Sequence, residues 1–254
     1  MIQARNRLAD QLLAIAALMV VWWVISFIVS NPLLPSPVDV LSSINTELNE
    51  NRLISNVLAT LQRVAISFTF AMLLGGTLGI LMGAVPRINR FFDPFLIILL
   101  NIPALVIIIL LYIWFGLVEV AAVAAVIINK LPNVAVTIRE GGRLFDSKLN
   151  EMANLYKFSF SQKIAHLWWP QIFPYFMVAT RGGLALIWKI VLVVELLGRS
   201  DGVGFQLHLA FQMFDVSTIL AYSLVFISIV QVIEWCILQP LDHKAQRWQR
   251  VQRV

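Results

Sequence analysis

Residues 63–85 read RVAISFTFAMLLGGTLGILMGAV, with one charge at the first position and none after it. A helix apolar on every side is at home in lipid or in a large core. A bilayer's hydrocarbon layer takes roughly 20 apolar residues per spanning helix. The stretch is therefore read as a membrane span, closed by Pro86. Gly75, Gly79 and Gly83 recur every fourth residue, which places them on one helix face where another backbone can approach closely. That face serves either static packing or sliding between helices, and spacing alone does not separate the two.

Outward from this run, similar stretches occupy about 11–30, 94–115, 117–137, 173–197 and 217–238. The expectation is an all-α polytopic membrane protein with six transmembrane helices, a single transmembrane domain over 1–254. Composition agrees: 59% of residues are hydrophobic and 13% charged, too little charge to cover a soluble surface. The first run is followed by Asn31-Pro32-Leu33-Leu34-Pro35 rather than a small-residue cleavage site, so it reads as a retained span.

Cytoplasmic loops are enriched in Lys and Arg. With the N-terminus inside, thirteen basic residues fall in cytoplasmic segments, among them Arg5, Arg87, Arg139, Lys157, Lys244, Arg247, Arg250 and Arg253; only Arg52 and Arg199 fall outside. Both termini are expected in the cytoplasm. This placement also explains the net charge of +5 without nucleic acid. Trp22, Trp23, Trp168, Trp169, Trp235 and Trp248 sit in or near span ends, where amphipathic rings favour the headgroup zone. The one cysteine, Cys236, excludes an internal disulfide, and His166, His208 and His243 form no metal-binding pattern.

The longest cytoplasmic segment, about 139–170, is patterned. Leu149, Met152, Ala153 and Tyr156 fall at helical spacing, and after Lys157-Phe158-Ser159 the pattern resumes with Phe160, Ile164, Leu167 and Trp168. Two short amphipathic helices joined by a bend are expected, the second ended by Pro170 or passing there into the next span. Such a pair either lies on the membrane surface or docks into a groove of a partner.

Glu151-Met152-Ala153, then Ser159 and Trp169-Pro170, resembles the EAA loop of binding-protein-dependent ABC importer permeases. Met152 stands where a first Ala is common, and Lys157 where Gly is usual. Five further segments resemble the taurine, alkanesulfonate and nitrate branch in the right order: Pro35-Ser36-Pro37, Thr60-Leu61-Gln62-Arg63, Asn101-Ile102-Pro103-Ala104 with Trp114-Phe115-Gly116, Glu195-Leu196-Leu197-Gly198, and Gly202-Val203-Gly204-Phe205.

The resemblance implies a type I ABC importer permease fold and no enzymatic activity on this chain. It implies two cytoplasmic ATPase subunits, which hold the ATP and magnesium; this chain has no phosphate-binding loop of its own. It further implies a second permease copy (a homodimer, or a heterodimer), a periplasmic or lipid-anchored solute-binding protein, and residence in the bacterial inner membrane. Glu151, Ala153, Lys157, Phe158 and Ser159 are the expected ATPase-coupling stretch.

Ionisable residues inside a bilayer are costly and each needs a reason. Arg63, Lys189 and Glu195 are candidate pathway residues, with internal ion pairing as the alternative. Glu119 and Glu234, nearer span ends, are expected to snorkel. A net basic lining suits an anion, and the resemblance implies a small one such as a sulfonate, taurine or nitrate. Import of a pyrimidine or vitamin precursor, a secondary transporter, and a membrane-embedded enzyme are the alternatives. The last two are disfavoured by the small number of spans and by the lack of a catalytic cluster.

Overall fold

The computed structural model describes residues 2–29, 31–143 and 147–240, and all regular secondary structure among them is helical. The basic residues from Lys244 to Arg253, with His243 and Trp248, lie outside them. Three long helices form the centre: α3 (Arg52–Ala84), α6 (Glu119–Arg143) and α9 (Trp169–Gly198). Around them run α1 (Ile2–Val29), α2 (Pro37–Asn49), α4 (Pro86–Asn101), α5 (Ala104–Phe115), α7 (Ser147–Leu155), α8 (Phe160–Lys163), α10 (Val203–Gln212) and α11 (Val216–Ile233).

The glycine stripe joins α3 to α6. A Cβ on Gly75 would lie 2.8 Å from the Leu131 carbonyl oxygen, on Gly79 2.5 Å from that of Ala135, and on Gly83 2.8 Å from Gly142 Cα. Both chains advance together, so the two helices run parallel with their backbones touching. Tail-to-tail lipid contacts are as apolar as Leu, so close packing of this kind holds membrane helices together. α9 closes the trio where Met72, Val134, Ile138, Ile172 and Ala179 meet. A larger cluster nearer the far end, opposite α7 and α8, gathers Val64, Ile108, Tyr112, Ala122, Ile187 and Tyr222.

Among the described residues, four helices are long and apolar enough to cross a membrane: Arg52–Ala84, Glu119–Arg143, Ser161–Gly198 and Val216–Cys236. A fifth crossing arises only if α4 and α5 count together, and they are bent by 96°. The third span expected over 94–115 is thus met as two helices with a sharp bend between them. Pro103 removes a backbone donor and forces Ile102 out of the helical region, to ψ 126. Pro86 starts α4 as its first helical residue, where a missing N–H costs nothing.

Pro170 does not end a helix either. α8 continues through a π-helical turn, Ile164–Trp168, into α9, and Pro170 lies in the first turn after it. The loop's second helix and the fifth expected span are one continuous rod. α1 is helical over Ile2–Val29 and includes the apolar stretch Ala16–Val29. It is tied to the segment after it by Trp22 Nε1, which donates to the Pro35 carbonyl at 3.0 Å, and Ser26 Oγ, which donates to that of Leu34 at 3.0 Å.

α2 starts on a full capping box. Ser36 Oγ accepts from the Asp39 amide, and the Asp39 carboxylate accepts from the Ser36 amide and hydroxyl. Those bonds hold the Asp39 carboxyl below its ordinary range.

Candidate functional site

Two constructions stand at opposite ends of the bundle. The first is the hairpin of α7 and α8. The Phe158 amide donates to the Ala153 carbonyl at 2.9 Å and the Lys157 amide to that of Asn154 at 3.0 Å. This is the Schellman pairing that closes a helix on a left-handed residue, and Lys157 takes that conformation at φ 51. Lys157 therefore adopts the backbone for which Gly is the easy choice.

Ser159 then caps α8. Its Oγ accepts from the Gln162 amide at 3.3 Å, and Gln162 Oε1 accepts from the Ser159 amide at 2.8 Å, the reciprocal capping box. Lys163 Nζ donates back across the corner to Asn154 Oδ1 at 2.5 Å. The segment ANLYKFSFSQK thus specifies a corner closed by a cap on each side.

Of the five expected coupling residues, Ala153 is buried at 1% exposure, Phe158 is half-buried, and Glu151, Lys157 and Ser159 are exposed. Among the described residues, nothing covers the apolar side chains of Met152 and Leu155 on α7 and of Tyr156 just after it, which are 44%, 82% and 74% exposed. They stand beside Glu151 at helical spacing, so a mixed apolar and acidic face points away from the bundle.

The second construction is an ionic node at the far end. Arg63, 4% exposed, uses all five guanidinium donors. Nε and Nη2 grip the two oxygens of Glu119 at 2.8 and 2.9 Å. Nη1 donates to Glu195 Oε1 at 2.8 Å and to the Asp201 carbonyl at 3.1 Å; Nη2 reaches Asp201 Oδ1 at 2.6 Å. Glu195 is fully buried, and its Oε2 accepts from Thr60 Oγ1 and the Gly204 amide, each at 2.9 Å.

The start of α10 is capped by other helices. The Gly202 amide donates to Asn56 Oδ1, that of Val203 to Thr60 Oγ1, and that of Gly204 to Glu195 Oε2. A buried carboxylate at a helix N-terminus is also favoured by the helix dipole. Only Gly fits here: Gly202 has φ 104, and a Cβ on it would lie 2.4 Å from the Glu195 carboxyl carbon. One on Gly204 would lie 2.2 Å from the Leu192 carbonyl oxygen.

Arg63 and Glu195 are thus bonded to each other, and the segments Thr60–Arg63, Glu195–Gly198 and Gly202–Phe205 meet in one place. Asn56 and Asp201, absent from the sequence-based set, complete it. The Thr60-x-x-Arg63 spacing and the Gly202-x-Gly204 pair were the available signals. Glu119 is engaged by Arg63 and Arg199, and Glu234 by Arg181 at 2.6 Å. Both acids expected to snorkel therefore make ion pairs. Lys189 is elsewhere: it is exposed on α9, with Val178, Leu186 and Val193 on the same uncovered face.

Comparison with known proteins fits these elements. Residues 75–237 match the family model described as the binding-protein-dependent transport system inner membrane component. A protein named as an aliphatic sulfonates transport permease, SsuC of Bacillus subtilis, is 28% identical over 239 residues, covering 93% of this chain and 86% of its own length. The nitrate import permease protein NrtB of Synechocystis is 28% identical over 228 residues, 85% of this chain and 82% of its own.

Among solved structures, a chain from inward-facing conformations of the MetNI methionine ABC transporter superposes with a TM-score of 0.65 at 14% identity. It matches 80% of this chain and 98% of its own. The chain belongs to the binding-protein-dependent transport system inner membrane component family: it is a multi-pass permease subunit of an ABC importer in the bacterial inner membrane, in the branch that holds sulfonate and nitrate permeases, and is not itself an enzyme.

Proposed function

We propose that two identical copies of this chain form the pathway of an importer for a small oxyanion, a sulfonate or nitrate. Each copy docks its α7–α8 hairpin into a cleft on one cytoplasmic ATPase. α1 supplies a sixth crossing, both termini face the cytoplasm, and a binding protein delivers the solute at the far end. ATP and magnesium are held by the ATPase.

The observation that carries the reading is the hairpin itself. Its corner is fixed by caps on both sides, yet its apolar face of Met152, Leu155 and Tyr156 is left uncovered. Rigidity suits a lever: a stiff element passes displacement between two packed arrangements. An amphipathic helix with a free apolar face is also the form that fits a partner's groove.

At the far end, Arg63 has no donor left for a solute and Glu195 is fully buried. In this reading they hold α3, α6, α9 and α10 as one body, and the pathway role passes to Lys189. A Lys in the middle of an apolar face cannot look into lipid without cost, so that face of α9 lines the pathway or meets the second copy. The oxyanion assignment rests on this cation and on the sulfonate and nitrate relatives.

The test is Glu151→Arg in proteoliposomes with the ATPase and binding protein. ATP hydrolysis is predicted to persist while uptake falls by tenfold or more. Uptake at the parent level would remove Glu151 from the docking face.

A further inference from the structure

Where the glycine stripe ends, a groove of about 680 Å³ lies between the α3–α6 pair and the rod that runs from α8 into α9. The last backbone contact of the stripe is beside it: a Cβ on Gly83 would lie 2.8 Å from Gly142 Cα, and both glycines line the groove. The walls are apolar, with Ile80 and Ala84 on one side and Ile164, Trp169 and Ile172 on the other. Ile80, Ile164 and Trp169 are 38%, 41% and 49% exposed. Trp169 is braced from behind by Phe173 and Phe176, with ring centroids 5.8 and 5.7 Å away.

The one charged residue on the groove is Arg143, at the end of α6. Its Nη1 donates to Glu140 at 3.0 Å, an exposed pair of small value. Nε and Nη2 have no acceptor among the described residues. The surroundings are basic. On α4 and the last turn of α6, Arg87, Arg90, Arg139 and Arg143 stand against only Asp93 and Glu140.

These features select an occupant. A small oxyanion would give up its water to face apolar walls with one cation at the end, which is costly. In a bilayer the apolar material at hand is an acyl chain. The Trp168–Trp169 pair sets the groove at headgroup depth, where amphipathic rings settle. Basic pockets between membrane helices on the cytoplasmic side take anionic headgroups.

We propose that an anionic phospholipid of the cytoplasmic leaflet occupies this groove, with one acyl chain against Ile80, Ala84 and Ile172 and its phosphate on the Arg143 guanidinium. Ile164 and Trp169 belong to the root of the hairpin's rod, so the bound chain fills the space between the lever and the α3–α6 pair. This rests on the orientation proposed above, with the hairpin in the cytoplasm.

The experiment uses the assembled permease–ATPase complex in phosphatidylcholine nanodiscs. Each sample carries a trace of one probe, phosphatidylglycerol or phosphatidylcholine with a diazirine in an acyl chain. After irradiation, labelled peptides are mapped by mass spectrometry. One basic contact at the membrane surface corresponds to a preference of about fivefold, so the phosphatidylglycerol probe is expected to label 80–84 and 164–172 by that factor over the other probe. Arg143→Gln should bring the two probes level. Ala84→Trp, which fills the groove, should remove the label from both segments. Arg143 makes only an exposed pair, so Arg143→Gln should assemble as the parent does, and it decides alone should Ala84→Trp fail to assemble. Equal labelling by the two probes in the parent, no label on either segment, a parent-like preference in Arg143→Gln, or full labelling of an assembled Ala84→Trp overturns the site.

An impermeant maleimide separates this inference from the orientation beneath it. Asn49→Cys, exposed at the end of α2, in a Cys236→Ser background should react in right-side-out vesicles and not in inside-out ones. The reverse result overturns the orientation and the leaflet named here, whatever the probes show. The expected result with no lipid preference overturns the groove alone.

Discussion

Lys157 sits at φ 51 in a corner where Gly carries no steric penalty. A non-glycine residue held there costs on the order of 1 kcal/mol. Lys157→Gly is predicted to leave uptake unchanged and to hold or slightly raise the thermal midpoint; a severe loss of uptake would show the ammonium itself engaged with a partner. Arg63 is the opposite case, since its side chain is the hub.

Arg63→Met leaves Glu195 buried against an apolar group. Losing one partner of a buried pair costs about 3–5 kcal/mol. The variant should unfold at a clearly lower temperature in detergent. Arg63→Lys should recover little of the loss, because an ammonium cannot grip three acids at once. A parent-like midpoint for Arg63→Met would contradict the node. Arg63 was visible in the sequence as an anomalous charge, but its partners were not. They lie 56, 132 and 138 residues away, and only the tertiary fold brings them together.

At the scale of elements, the glycine repeat was legible because a four-residue period on a helix has one geometric meaning. Its partner helix was not, since periodicity names a face and not what covers it. Gly79→Ala is predicted to destabilise by about 1–3 kcal/mol, because its Cβ would lie 2.5 Å from the Ala135 carbonyl oxygen. Gly182→Ala should be neutral in the same thermal assay, its Cβ meeting nothing. Equal midpoints for the two would mean that α3 and α6 are not in backbone contact.

The prolines misled where apolar content and helix continuity part company. Hydropathy carries one apolar run through Pro103 and does not show that the chain turns there by 96°. It also put a boundary at Pro170, where the rod runs on. A proline in the first turn of a helix leaves it whole, and one preceded by an extended residue breaks it; the residue before each decides, and hydropathy does not weigh it.

Over the whole molecule, polar construction is concentrated at the two ends. The hairpin is legible in the sequence as two helices and a bend because apolar spacing is a local signal. The node was present only as separate motifs. Both ends belong to rigid bodies: the hairpin continues without a break from α8 into α9, and α9 carries Glu195 into the node. Movement imposed on the hairpin would therefore reach the far end along a single rod.

Docking of the hairpin on an ATPase is the proposal on which the coupling depends. It is tested most directly by placing a cysteine at Leu155, 82% exposed, in a Cys236→Ser background, attaching a short photo-cross-linker, and irradiating the assembled importer in membranes. The expected product is an adduct with the mass of permease plus ATPase, absent when the ATPase is left out. Labelling of lipid alone, with no ATPase adduct in a complex that still transports, would contradict it.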